Sequence, residues 1–254
     1  MIELVNVSKN YEAKQALKDL SLTIKPGEIF GFLGHNGAGK STTIKSLVSI
    51  IQPSSGTITV DGLELAANRQ TIKKKIAYVP DTPDIFLQLT AGEYWDLISA
   101  AYEIEKAKKQ ERLSELAALF DMTNHQNETI AGFSHGMRQK TIIIGALLAD
   151  PDIWILDEPL QGLDPQAAFD LKEMMKAHAK KGKTVIFSTH ALDTAQQLCD
   201  ELAILKKGEL IYNGSVENLL AQSPNESLES IYLKMAGRQA DAQILADIEG
   251  DSYE

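Results

Sequence analysis

The sequence predicts an α/β fold: a mostly parallel sheet with flanking helices, an antiparallel β part at the N-terminus and an inserted helical segment. Three observations lead there. A glycine-rich turn, Gly34-His35-Asn36-Gly37-Ala38-Gly39-Lys40-Ser41-Thr42, stands between an apolar run and a stretch with helical apolar spacing. Beyond residue 150, β-rich runs alternate with helical patterns, which implies parallel strands joined by crossovers. Between these regions, from about Asp84 to Ala149, the pattern turns helical.

Taken in order, Ile2 to Val7 alternates partly, as a half-buried strand does. Tyr11 follows in a polar turn, and Leu17 to Ile24 reads as a second strand ended by Lys25-Pro26-Gly27-Glu28. Ile29 to Leu33 is the apolar strand before the glycine-rich turn, and Thr43 to Ile51 the helix after it. Pro53-Ser54-Ser55-Gly56 breaks that helix, and Thr57 to Val60 returns to strand, closing on Asp61-Gly62. Ile76 to Val79 is a further strand, ended by Pro80.

The helical segment carries Tyr94, Leu97, Ile98 and Ala101 at helical spacing, then Leu113, Leu116, Ala117 and Phe120. Ser134 is an N-cap for a helix from His135 to Ala149, stopped by Asp150-Pro151. Ile153 to Leu156 is apolar on both faces, as a central parallel strand is. A helix from Pro165 to about Lys181, a strand from Thr184 to Ser188, a helix from Leu192 to Cys199 and an edge hairpin around Lys207-Gly208 complete the body.

The 254 residues are 44% hydrophobic with a net charge of −10, so a nucleic-acid-binding surface is not expected. From Ala221 to Glu254 there are seven acids against Lys234 and Arg238, which reads as a solvated acidic tail. Cys199 is the sole cysteine, which excludes an intrachain disulfide and a cysteine-based metal cluster. The N-terminal residues lack the pattern of a signal peptide, and the longest apolar stretch, Ile142 to Ala149, is too short to cross a bilayer. A cytosolic chain is expected, and any membrane span would have to come from another polypeptide.

Strand, glycine-rich turn and a helix opening on Gly-Lys-Ser form a phosphate-binding loop. Successive N–H groups curl toward one anion and the helix N-terminus adds its partial positive charge. In such a loop Lys40 reaches the outer phosphates and the Ser41 hydroxyl holds Mg²⁺. Asp157 ends the apolar strand, so its carboxylate emerges at the carboxyl edge of a parallel sheet, where such folds bind ligands. It is the natural partner of Mg²⁺, and Glu158 beside it is placed to accept a proton from an attacking water.

These residues resemble the ATP-binding subunits of ABC transporters over about Met1 to Leu220. Gly34 to Thr42 resembles the family's Walker A, and Ile153 to Glu158 its Walker B with the catalytic glutamate. Phe133-Ser134-His135-Gly136-Met137 stands at the place of the signature, Gly162-Leu163-Asp164 at the D-loop, and Ser188-Thr189-His190 at the switch histidine. Tyr11 matches the aromatic that stacks on adenine. The Ile-Leu-Asp-Glu-Pro and Gly-Leu-Asp-Pro wording, with Leu228-Glu229-Ser230-Ile231-Tyr232 near the end, is most similar to exporter ATPases of the drug-export and Ecs types.

The resemblance implies a P-loop NTPase core over residues 1–220, with a helical subdomain over about 84–149 and a short helical, acidic tail over 221–254. It implies ATP and Mg²⁺ as cofactors, with Gly34, His35, Asn36, Gly37, Ala38, Gly39, Lys40, Ser41 and Thr42 around the phosphates. Tyr11 would lie on the base, Ser41, Asp157 and Asp81 at Mg²⁺, and Glu158 and His190 in catalysis. Ser134 and Gly136 would serve the nucleotide of a second ATPase subunit, identical or different, in a head-to-tail dimer. The implied place is the cytoplasmic face of the membrane, under a transmembrane permease subunit. The loop Asp81 to Tyr94, with Phe86, Leu87 and Trp95, reads either as the docking surface for that subunit or, for Leu87, Leu89 and Trp95, as core packing. Three positions depart from the family: Asp81 stands for a glutamine, and His135 and Met137 make the signature read Ser-His-Gly-Met for Ser-Gly-Gly-Gln. Alternative readings are a soluble assembly ATPase like that of iron–sulfur scaffolds and a regulatory, non-transporting ATPase.

Overall fold

The first hairpin is longer than its apolar residues suggest. In the computed structural model, which describes residues 1–12, 14–224 and 226–237, β1 (Ile2–Tyr11) pairs antiparallel with β2 (Lys14–Ile24). Tyr11, expected in a turn, is the last residue of β1 and stands opposite Lys14. The outer pairs of this hairpin carry exposed polar side chains, and hydrophobic periodicity cannot see such pairs. β3 (Ile29–Leu33) is buried at every residue. It leads through the glycine-rich turn to α1 (Lys40–Leu47). That helix starts three residues earlier and stops four earlier than expected. Ser49 takes a left-handed φ of 55°, and the N–H groups of Ile50 and Ile51 both turn back to the Lys45 carbonyl. Ile50, whose apolar side chain extended the sequence pattern, is 59% exposed.

β4 (Ser55–Val60) and β5 (Leu63–Glu64) complete a four-stranded sheet of order β2-β1-β4-β5. A short helix α2 (Arg69–Lys73), not foreseen, precedes β6 (Ile76–Val79). The helical segment follows as α3 (Ala91–Ala101), α4 (Lys106–Leu119) and α5 (His135–Leu148). Thr90 and Glu93 close a capping box on α3. The body ends with β7 (Ile153–Asp157), α6 (Pro165–Lys180), β8 (Thr184–Thr189), α7 (Leu192–Leu198), β9 (Glu201–Lys206), β10 (Glu209–Ser215), α8 (Val216–Ala221) and α9 (Leu228–Met235).

The second sheet has the order β10-β9-β3-β8-β7-β6. Every neighbouring pair is parallel except β10–β9, the expected hairpin at the edge. Two hydrophobic clusters cover its faces. One joins Phe30, Phe32 and Ile155 to Ile44 of α1 and to Leu4 and Leu20 of the first sheet. The other joins Leu33, Leu156 and Phe187 to α3, α5, α6 and α7, and includes Leu228 and Ile231 of α9. The α/β class, the antiparallel N-terminal part and the parallel sheet agree with the sequence. The acids Asp241, Asp247, Glu249, Asp251 and Glu254 lie outside the described residues.

Trp95 decides between the two readings of the stretch after β6. Its side chain is fully buried and its indole N–H donates to the Thr141 carbonyl at 3.0 Å, pinning α3 to α5. It therefore belongs to the core and not to a docking surface. Leu87 and Leu89 are half-buried against the same core, while Phe86 is 48% exposed.

A polar knot ties α4 and α5 to the sheet. Asp150 pairs with Arg112 at 3.1 Å and Lys183 at 3.2 Å, and these cations hold its carboxyl below the ordinary range against the opposing effect of burial. His178 of α6, 3% exposed, stacks on Trp154 with ring centroids 3.8 Å apart. Burial, and then the Lys183 charge, lower its pKa to about 4 from 6.5. The folded chain thus keeps His178 neutral where the unfolded chain binds a proton. Stability contributed by the neutral ring is complete above pH 6.5 and is lost as pH falls toward 4. Urea unfolding of the wild type is expected to show a loss of about 3 kcal/mol from this group across that window. His178→Phe should keep the stack and flatten the slope; an unchanged slope would clear His178 of the role.

Candidate nucleotide-binding site

Four loops meet at the carboxyl ends of β3, β6, β7 and β8, where a parallel sheet offers its crevice. The first is the glycine-rich turn. Gly39, the N-cap of α1, has φ +116°, and a Cβ there would lie 2.9 Å from Leu17 Cδ2 and 3.1 Å from the Ala16 carbonyl. Only glycine lets the loop pass this close to β2. With no capping side chain, the first N–H groups of α1 are left to the cleft. Lys40, 6% exposed, crosses the loop to donate to the Gly34 carbonyl at 2.6 Å, and its ammonium lies 3.6 Å from Glu158 Oε1.

Asp157 and Glu158 are held in different ways by one serine. Ser188, which stands opposite Asp157 in the β7–β8 ladder, donates to Asp157 Oδ1 at 2.5 Å and accepts the Glu158 N–H at 3.0 Å. Ser41 Oγ also donates to Asp157 Oδ1, at 3.3 Å. Asp157 is fully buried and its Oδ2 has no hydrogen-bond partner. Burial raises its pKa, the hydrogen bonds from Ser188 and Ser41 oppose that, and the Asp81 charge adds to it. A buried carboxylate oxygen without a donor, beside a hydroxyl and near a second carboxylate, is an all-oxygen set suited to a hard divalent cation. Among the described residues no group of three or more His, Cys, Asp or Glu converges on one point.

Glu158 adopts a left-handed φ of 48°, an uncommon state for a residue with a Cβ and one that clusters at functional sites. It turns the carboxylate out of the strand line into the cleft, where His190 Nδ1 donates to Oε2 at 3.0 Å. Lys40 on one side and His190 on the other fix both oxygens.

The cleft, about 690 Å³, brings together most residues singled out in the sequence. Tyr11, His35, Asn36, Gly37, Ala38, Gly39, Lys40, Ser41, Thr42, Asp81, Glu158 and His190 line it. Tyr11 is 43% exposed and carries Lys9 Nζ 5.1 Å from its ring centroid. Gly34 and Asp157 lie beneath the lining. Ser134 and Gly136 stand apart at the N-terminus of α5, where exposed Ser134 accepts the Met137 N–H at 3.3 Å. Sequence reasoning missed Lys14 and Gln161, which line the cleft, and gave no place at this cleft to His135, named only in the signature, or to Ser188, named only as the residue before Thr189-His190.

The profile of the ABC transporter family matches residues 17–161. The chain belongs to the ABC transporter family. Among its curated relatives in Bacillus subtilis, the ABC transporter ATP-binding protein NatA is 35% identical, covering 92% of this chain and 97% of its own. The ATP-binding protein EcsA is also 35% identical, covering 94% and 98%. The linearmycin resistance ATP-binding protein LnrL is 33% identical, covering 93% and 76%. A solved ATP-binding subunit of an ABC transporter superposes with a TM-score of 0.87 at 35% identity, covering 92% of this chain and 99% of that one. An ATP-binding cassette seen as a dimer in a post-hydrolysis state with ADP and Pi gives 0.77 at 26% identity, covering 85% and 99%. This ABC family member is thus an ATP-binding subunit, and its enzymatic class is ATPase.

Proposed function

We propose that this subunit hydrolyses ATP on Mg²⁺ to drive a separate membrane-spanning permease subunit, in the export direction, from the cytoplasmic face of the membrane. Among the described residues no helix is long and apolar enough to cross a membrane, and in this reading a partner supplies the spans. The observation that carries the reading is the loop after β6. It begins at Asp81 in the cleft and reaches exposed Phe86 five residues on, so one short segment joins the cleft to an exposed apolar side chain. Export is supported by the resemblance to drug-export and Ecs ATPases and by the relative named for linearmycin resistance.

In this reading Tyr11 stacks on adenine, the loop Gly34 to Thr42 binds the phosphates, and Ser41, Asp157 and Asp81 hold Mg²⁺, which supplies charge neutralisation when bound. Glu158 takes the proton of the attacking water and His190 orients it. Ser134 and Gly136 close on the nucleotide of a second ATPase subunit. Two nucleotides at such an interface join the subunits, and hydrolysis releases them.

The test is to tag the chain in its own cells, solubilise the membranes gently and identify what co-purifies. A polytopic membrane protein in stoichiometric amount is expected, with Phe86→Asp reducing its recovery at least severalfold. Soluble partners alone would overturn the transporter reading in favour of an assembly ATPase.

A further inference from the structure

The first two turns of α5 run along the loop that carries Glu158 and touch it at successive points. A Cβ built on Gly136 would lie 2.5 Å from the Gly162 carbonyl oxygen, so the two backbones are in direct apposition. A Cβ on Gly162, whose φ is +76°, would lie 2.4 Å from His135 Cδ2 and 3.1 Å from Nε2. The imidazole therefore occupies the space a side chain at 162 would need. One turn further, buried Gln139 donates to the Pro159 carbonyl at 3.4 Å while its Oε1 has no partner. Lys140 reaches Asp164 Oδ2 at 2.6 Å. Residues 135, 136, 139 and 140 share one helix face. Along the loop, the Gln161 N–H donates to the Glu158 carbonyl at 3.1 Å, so a shift at Gly162 is one hydrogen-bonded turn from the catalytic carboxylate.

We propose that His135 is a positioning residue. Its ring, packed on Gly162, makes the start of α5 and the 158–164 loop move as one body, so a phosphate gripped at Ser134 resets Glu158 of the same chain. The glycine usual at this place in the signature has no side chain to pack on Gly162, so His135 adds a contact of this chain's own. The relay rests on the reading that Ser134 and Gly136 meet a second subunit's nucleotide; the seam itself rests on the packing alone.

The experiment uses the full chain. Backbone hydrogen exchange is measured over 158–164, with β7 as internal control. His135→Ala is expected to speed exchange in the loop about tenfold, within the usual coupling of residues in contact, and to leave β7 unchanged. His135→Phe, which keeps a flat ring on Gly162, should restore wild-type exchange. Gly162→Ala should lower kcat at nearly constant KM, and by about tenfold less in the His135→Ala background, because the clash is gone. Unchanged loop exchange in His135→Ala, or additive effects in the cycle, would overturn the proposal.

On the Glu158→Gln background, added ATP is expected to protect 158–164 with His135 present and not with Ala in its place. Absence of any ATP-driven dimer of Glu158→Gln, either with itself or with an ATPase subunit that co-purifies with it, would overturn the two-subunit reading and with it the relay. A dimer whose loop protection ignores His135 would overturn the relay alone.

Discussion

Glu158→Gln is expected to bind ATP as tightly as the wild type and to hydrolyse it about 10²–10⁴-fold more slowly, the usual weight of a general base. The geometry says why binding survives. The substitution is isosteric, the Glu158 N–H still donates to Ser188, and the left-handed turn is a backbone feature that glutamine accommodates as glutamate does. What is lost is the proton acceptor between Lys40 and His190. Steady-state phosphate release and binding of a fluorescent ATP analogue, measured on the same preparation, separate the two effects. His190→Ala should lower turnover less, because it removes the orienting group and leaves the carboxylate. Wild-type turnover in Glu158→Gln would remove the residue from the mechanism.

The fold was legible wherever one physical signal dominated. β3, β7 and β8 are buried on both faces, and their short, β-rich runs bounded by turn residues read as central strands. The glycine-rich turn announced itself because backbone anion binding needs glycines at fixed places. Errors arose where signals competed. Ile50 and Ile51 prolonged a helical pattern that the chain abandons at Ser49, and Tyr11 sits in a strand whose end has no apolar face. For Trp95 sequence alone leaves docking and core packing equally open, and only its N–H on the Thr141 carbonyl decides for the core. In the site, Glu158 and His190 stand 32 residues apart in sequence and meet at 3.0 Å. Strand order alone brings them together, since β7 and β8 are neighbours. The role of Ser188 is not legible in sequence, because a serine at a strand end shows no bridging pattern until its two partners are in place.

Asp157→Asn is expected to make the chain more stable and nearly inactive at once. Burial raises the Asp157 pKa, so between the ordinary carboxylate value and the raised one the folded chain holds a proton that the unfolded chain has released. Stability is therefore complete below that window and declines as pH rises through it, leaving a standing cost at neutral pH where the buried carboxylate is charged. Asparagine keeps Oδ1 as acceptor for Ser41 and Ser188 and removes the charge. In buffer with EDTA at pH 7, thermal unfolding should shift upward by about 2–4 °C for each kcal/mol relieved, with a smaller shift near pH 4. The same change removes the anionic oxygen, Oδ2, that has no protein partner. Mg²⁺-dependent ATP turnover should fall about 10²–10³-fold, matching the several kcal/mol that a bound cation contributes to charge stabilisation. MgATP should then stabilise the wild type by more degrees than the variant. A lowered melting temperature would mean that the carboxylate is held by donors in the apo chain, and unchanged turnover would mean that the cation is bound elsewhere. The paired outcome would show a charge retained against stability because the nucleotide's cation needs it.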